Sequence, residues 1–251
     1  MHIVVTGASS GIGEAIVRAF DEPGNQLTLV ARREDLLNKL AGEIKCDTLV
    51  HPLDLSDLEH CTDFIKEAES KFGPIDVMIN NAGIQRVAET IKIPIEDAEK
   101  LMRVNLSAPL RINHQLLPAM LKRKSGIIVN VASIASFNPT KYMYYYVASK
   151  AGLGMASEAL NAEMKDTPVH IITVYPGPIA TPMETRVKEL YEDLSMADNV
   201  PTGSPEELAE RVKKAVLNRE DRVTFPDLYK LSRFLPTFST WITNLFAPKP
   251  R

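Results

Sequence analysis

Short apolar runs recur along the chain, at His2 to Thr6, Leu27 to Ala31, Thr48 to Leu53, Ile75 to Ile79, Gly126 to Ala132 and Val169 to Tyr175. Runs of this length with little internal alternation predict strands buried on both faces. The stretches between them change period. Apolar residues three and four apart predict helices over Glu14 to Phe20, Asp35 to Ile44, Leu58 to Phe72 and Ile95 to Lys122. Strand and helix in steady alternation predict an α/β fold: a single doubly wound parallel sheet with helices on both faces. Arg222 to Phe225 is read as a seventh strand, so residues 1–225 form one domain.

Residues 226–251 follow a different pattern. Leu228, Leu231, Leu235, Phe238, Ile242 and Leu245 mark an extra C-terminal amphipathic helical segment, interrupted or restarted at Pro236. Phe234, Trp241 and Phe246 widen its apolar face. One reading packs this segment on the same domain, over a pocket or at a subunit interface. The other is peripheral membrane contact, which the short supply of basic residues (Lys230 and Arg233) weighs against.

Sheets of this kind bind ligands beyond the carboxyl ends of their strands, where the strand order reverses. Those ends carry the distinctive residues. The first run leads into Thr6-Gly7-Ala8-Ser9-Ser10-Gly11-Ile12-Gly13 and then a helix. Gly7 permits a tight turn, Gly11 admits a pyrophosphate to the backbone, and Gly13 lets helix and sheet pack closely. The helix start offers unpaired N–H groups to an anion. The second strand ends at Ala31 with no acid, and Arg32 and Arg33 follow. An acid there would hold a ribose 2′-hydroxyl, whereas arginine suits a 2′-phosphate. This favours NADP(H) over NAD(H). Asp54 reads either as an acceptor for the adenine amino group or as a helix cap, with Ser56 competing for the second role. Asn80-Asn81-Ala82-Gly83 closes the fourth strand and Ser133 the fifth. Asn105 lies mid-helix, where a kink at Pro109 would free backbone carbonyls for a water site.

Within Tyr142 to Lys150, only Tyr146 has a lysine four residues on. One helical turn puts Tyr146 and Lys150 on one face. A free phenol titrates near ~10. A nearby ammonium lowers that value, so that Tyr146 can exchange a proton with a substrate oxygen. Pro176-Gly177-Pro178-Ile179-Ala180-Thr181 follows the sixth strand, and a mobile lid is expected after it, about residues 178–203. Phe137, Tyr142, Met143 and Met183 are candidates to line a moderately apolar substrate pocket.

Composition narrows the classes. The 251 residues carry a net charge of -3, which gives no basic footprint for nucleic acid. Cys46 and Cys61 lack metal-site or redox spacing and read as reduced thiols. No metal is expected. No charged leader with an apolar run stands ahead of Ile3-Val4-Val5, and no apolar stretch is long enough to span a membrane. The expected location is cytoplasmic.

Taken in order, Thr6 to Gly13, Asp54, Asn80 to Gly83, Asn105, Ser133 with Tyr146 and Lys150, and Pro176 to Thr181 resemble the short-chain dehydrogenase/reductase family, over residues 2 to about 220. The resemblance implies a Rossmann fold and a nicotinamide cofactor. It implies Tyr146 as acid/base, Lys150 on the nicotinamide ribose, and Ser133 on the substrate carbonyl. Asn105 would hold a water between Lys150 and solvent. Gly7, Ser9, Gly11, Ile12 and Gly13 would surround the pyrophosphate. Arg32 and Arg33 would meet the 2′-phosphate, Asp54 and Leu55 the adenine, and Asn81, Ala82 and Gly83 the adenosine ribose. Pro176, Gly177, Ile179 and Thr181 would hold the nicotinamide. NADP-using relatives often carry a basic residue where this chain has Ser10, and many end in a glycine-rich tail that is missing here. The expected activity is hydride transfer between NADP(H) and a small carbonyl or secondary alcohol, by a homodimer or homotetramer. A nucleotide-sensing or interaction protein without turnover is the second reading. The intact set Asn105, Ser133, Tyr146 and Lys150 weighs against it.

Overall fold

The computed structural model describes residues 1–190, 201–245 and 250. Its centre is one parallel sheet of seven strands: β1 His2–Thr6, β2 Gln26–Ala31, β3 Asp47–Pro52, β4 Val77–Asn80, β5 Gly126–Val131, β6 Val169–Pro176 and β7 Arg222–Phe225. Their order across the sheet is β3-β2-β1-β4-β5-β6-β7. β1 has Thr6 opposite Val30 on one side and Val5 opposite Ile79 on the other. The chain therefore runs outward from β1 to β3, then crosses back to β4 and runs the other way. That reversal opens a crevice beyond the carboxyl ends of β1 and β4.

All five residues of β1 are buried, because helices cover both sheet faces. On one face, α1 (Gly11–Ala19), α2 (Glu34–Glu43) and α8 (Pro205–Asn218) contribute Ile16, Leu37 and Val212 to a core against β1 and β2. On the other, α3 (Asp63–Phe72), α5 (Ala108–Arg123) and α6 (Tyr144–Met164) contribute Phe64, Ile112, Leu116 and Met164. Burying each such side chain fully stabilises the fold by roughly 1.5–3 kcal/mol before chain entropy is counted.

Several elements differ from the sequence pattern, each for a local reason. The helix expected from Leu58 begins at Asp63. Asp57 accepts from the Glu59 amide (3.1 Å) and His60 pairs with Asp63 (2.9 Å), so side chains compete with the helical ladder over that turn. The long helix expected over Ile95 to Lys122 is divided into α4 (Ile95–Met102), a π-helical turn (Arg103–Ser107) and α5. Pro109 has no N–H for the Asn105 carbonyl four residues back, and the helix widens there instead of kinking at the proline. Pro118 is accommodated inside α5. The start of the expected lid is helical, as α7 (Pro182–Glu189), while residues 191–200 of that lid lie outside the described residues.

The C-terminal segment forms a 3-10 turn (Asp227–Tyr229), then α9 (Lys230–Phe234) and α10 (Pro236–Leu245), divided at Pro236. The side chains of Leu231, Phe238, Ile242 and Leu245, and residue Phe246, lie outside the described residues. The segment is tied to the domain. Asn138 Nδ2 donates to Thr243 Oγ1 (2.9 Å), the Lys141 amide to Asn244 Oδ1 (3.0 Å), and Asn244 Nδ2 to the Pro139 carbonyl (3.0 Å). Two of its basic side chains are paired, Lys230 with Asp227 (3.0 Å) and Arg233 with Glu158 (3.2 Å). That leaves neither of them free for a membrane surface.

Candidate functional site

The crevice at the strand reversal is a continuous cleft. Its nucleotide end starts at the glycine turn. Gly7 and Gly11 take φ of 67° and 59°. A Cβ on Gly13 would stand 2.1 Å from the Gly7 carbonyl oxygen, so only glycine lets α1 sit this close to β1. Ser10 is the N-cap of α1 and makes no side-chain cap bond, which leaves the first-turn N–H groups to a ligand. Its hydroxyl instead accepts from Arg33 Nη2 (2.7 Å), as does Ser9 (2.9 Å). Arg33 is thereby held over the glycine turn. Arg32 is exposed at the same rim, and Ile12 completes this wall.

Asp54 and Leu55 border the cleft at the end of β3. Asp54 caps no helix. Its Oδ1 accepts from the Ser56 amide (2.9 Å) and hydroxyl (2.8 Å), and Oδ2 pairs with Lys100 (3.2 Å). Asn81 binds the end of β1: its Nδ2 donates to the Thr6 carbonyl (2.9 Å), and the Asn81 and Ala82 amides donate to Thr6 Oγ1 (3.0 and 3.1 Å). Asn80 turns away into a buried amide network with Asn113 (2.7 Å) and Asn130 (2.9 Å).

Gly83 leads to the catalytic candidates. A Cβ there would lie 3.4 Å from Lys150 Nζ and 3.5 Å from Asn105 Oδ1, so these two side chains meet beneath it. Asn105 is fully buried in the π turn. Its Oδ1 accepts from the Ile84 amide (2.8 Å), and its Nδ2 donates to the Ile84 carbonyl (2.9 Å) and Ser149 Oγ (3.1 Å). Both of its donors are thus engaged within the protein. Lys150 is 4% exposed, and its ammonium donates to the Val131 carbonyl (2.8 Å). Burial pulls its pKa down to about 8.

Ser133 and Tyr146 face each other across the cleft floor. Ser133 Oγ accepts from the Ala135 amide (3.1 Å), which fixes its position at the end of β5. Burial pushes the Tyr146 phenol above its ordinary value; the Ser133 hydrogen bond pulls it down, and the Glu184 carboxylate pushes it up. Burial also pulls the Lys150 ammonium down to about 8, below the phenol, so it has lost its charge before Tyr146 titrates, and without a cofactor the lowering read from the sequence does not appear. In this state Tyr146 is a protonated acid at neutral pH. Pro176, Gly177, Ile179 and Thr181 form the opposite wall.

The substrate end differs from the sequence reading. Of its four candidate lining residues only Met183 borders the cleft. Phe137 packs on Tyr175, with ring centroids 5.3 Å apart, while Tyr142 and Met143 support Val87 and Val187 behind the wall. Tyr142 takes φ of 67°, a left-handed conformation unusual for so large a side chain. Ile84, Gln85 and Glu184 line the cleft instead. Glu184 was hidden by its spacing: Thr181-x-x-Glu184 is the pattern of a helix capping box. Thr181 Oγ1 does accept from the Glu184 amide (3.3 Å), but among the described residues the carboxylate makes no return bond.

A family model for short chain dehydrogenases matches residues 1–192. An uncharacterized oxidoreductase of Staphylococcus epidermidis is 35% identical over 72% of this chain and 78% of its own length. A short chain dehydrogenase of Pseudocercospora fijiensis is 34% identical over 70% of this chain and 59% of its own. Among solved structures, a short-chain dehydrogenase from Sphingobium yanoikuyae in complex with NADPH superposes with a TM-score of 0.80 at 25% identity, covering 96% of this chain and 93% of that one. One from Streptomyces avermitilis gives a TM-score of 0.82 at 24% identity, covering 96% and 93%.

Proposed function

The chain belongs to the short-chain dehydrogenase family of oxidoreductases, and on that premise we propose that it interconverts a small carbonyl compound and a secondary alcohol with NADP(H). One observation carries the reading: Ser133, Tyr146 and Lys150 border the same cleft that begins at the glycine turn under Arg33. The donors there suit such a cofactor: an uncapped helix start for the pyrophosphate, a fixed guanidinium for a 2′-phosphate, and a buried ammonium for ribose hydroxyls. The S. yanoikuyae relative bound to NADPH supports the same choice.

When bound, the nicotinamide supplies the hydride. The chain's own residues do the rest. Ser133 and Tyr146 donate to the substrate oxygen, where negative charge grows as the carbonyl is reduced. Tyr146 then passes its proton to that oxygen. Its raised pKa keeps the proton in place until charge develops. In the reverse direction Tyr146 takes the alcohol proton. Asn105 acts as a positioning residue, fixing Ile84 and, through Ser149, the helix that carries Tyr146 and Lys150.

The same proposal includes a cytoplasmic homo-oligomer. The free thiols Cys46 and Cys61 support a reducing compartment. Exposed Leu110 on α5 and Tyr144 and Met155 on α6 support a homodimer or homotetramer, which gel filtration tests.

The direct test of the chemistry is Tyr146→Phe, assayed by NADPH consumption over a panel of ketones and aldehydes. Turnover is expected to fall by about 10²–10⁴ with NADPH affinity unchanged. Unchanged turnover would remove Tyr146 from the mechanism. Turnover of no carbonyl by the wild type, with NADPH bound, would favour the sensing protein.

A further inference from the structure

The substrate end of the cleft holds a carboxylate that the reaction does not use. Glu184 lies on α7 and lines the cleft together with Gln85, Ser133 and Tyr146. Two of these four have an assigned task, since Ser133 and Tyr146 address the reacting oxygen. Glu184 receives no hydrogen bond from a described side chain; the Lys188 ammonium, one turn on and outside the cleft lining, acts on it through its charge. Gln85 Nε2 is engaged with Met143 Sδ (3.3 Å), which leaves its carbonyl oxygen as the second acceptor of this end. The cations lining the cleft are Arg32 and Arg33 at the nucleotide end and Lys150 in the floor. Among the described residues lining the cleft, no further cation is present to receive an anion at the substrate end.

We propose that Glu184 is a specificity-determining residue that selects substrates carrying a protonated amine close to the reacting carbon and rejects those carrying a carboxylate there. The inference rests on the oxidoreductase reading and deepens it. A carboxylate half-removed from water lacks solvation that an ammonium would restore, and a charge-assisted bond forms where water is largely excluded. The strain is visible in its neighbours. Burial holds the Glu184 carboxyl above the ordinary glutamate range; burial first, and the Glu184 charge after it, raise Tyr146 on α6 and Tyr229 beyond β7. A substrate ammonium between Glu184 and the reacting carbon would offset the part that comes from the Glu184 charge. An anion there would add to the repulsion.

The test uses three matched alcohols with NADP+ as oxidant: 1-amino-2-propanol, 2-butanol and 3-hydroxybutyrate. Each presents the same methyl carbinol beside an ammonium, a methyl or a carboxylate group. In each the carbinol C–H hydride, with its two electrons, goes to NADP+. The hydroxyl proton leaves through Tyr146 to solvent, and a ketone forms. Wild type is expected to favour the amine over 2-butanol by about tenfold or more in kcat/KM, with 3-hydroxybutyrate slowest. Glu184→Gln, which keeps size and backbone capping, is expected to bring the amine and neutral rates within about twofold. Glu184→Lys is expected to raise 3-hydroxybutyrate above the amine. Each comparison is a ratio within one protein, so general damage cancels. An amine preference that persists in Glu184→Gln overturns the inference. So does a wild type that oxidises 2-butanol as fast as the amine, while the oxidoreductase reading stands. Turnover of none of the three also overturns it, and the carbonyl panel with NADPH then decides whether the wider reading falls too.

Discussion

At the nucleotide end of the cleft, the residues that touch are near neighbours in the chain or sit at the ends of adjacent strands. Gly7 to Gly13 form one turn, Arg33 closes on Ser9 and Ser10, and Asn81 clamps Thr6. At the substrate end the wall is assembled from afar: Gln85, Ser133, Tyr146 and Glu184, with Tyr229 over Gly177. The first end is determined by local backbone geometry and strand order. The second depends on how distant segments pack, with the left-handed Tyr142 behind its wall.

Two glycines expose the difference most sharply. An added Cβ on Gly13 meets backbone, the Gly7 carbonyl oxygen at 2.1 Å, whereas on Gly177 it meets the movable Tyr229 ring at 2.7 Å. Gly13→Ala is expected to lower stability by about 3 kcal/mol or more and to weaken NADPH binding at least tenfold; Gly177→Ala should cost only about 1 kcal/mol. Urea unfolding compares them, and equal costs would break the contrast between the two ends.

The next effect concerns charge. In the buried floor between the ends, the Lys150 pKa falls from its ordinary 10.5 to about 8. Between those values the unfolded chain keeps a proton that the folded chain has released. Burial of Lys150 therefore costs stability below about pH 8, and the cost is relieved as pH rises towards 10.5, by about 3 kcal/mol in full. Lys150→Met should remove that rise. Urea midpoints of both proteins at pH 7.5 and 9.5 measure it, and parallel slopes would contradict the buried ammonium.

The smallest expected effect is at the C-terminal segment, which holds the loop at residues 138–141. Asn244→Ala removes the bonds to Lys141 and Pro139. About 1 kcal/mol should be lost, with KM for substrate raised a few-fold and NADPH affinity untouched. A change in NADPH affinity would show that the C-terminal segment acts on both ends.

The same contrast explains what could be read from the sequence. The sheet, its parallel sense and the glycine turn followed from apolar runs and spacing, because period and turn chemistry are local properties. The π turn at Asn105 was visible only as an awkward proline four residues on. The direction of the Tyr146 shift was not legible because helical spacing brings Lys150 to the same face but cannot say how deeply the phenol and the ammonium are buried. Glu184 was invisible for a similar reason: its spacing fits a helix cap, and only the packed structure leaves its carboxylate in the cleft.

The central claim is an NADP(H) site built on the glycine turn and Arg33. It is tested most directly by titrating the purified protein with NADPH and with NADH, followed by nucleotide fluorescence. The account predicts NADPH binding at least about tenfold tighter, as expected for charge-assisted bonds to a 2′-phosphate, with that advantage lost in Arg33→Ala. Equal or tighter binding of NADH, or binding of neither nucleotide, would contradict it.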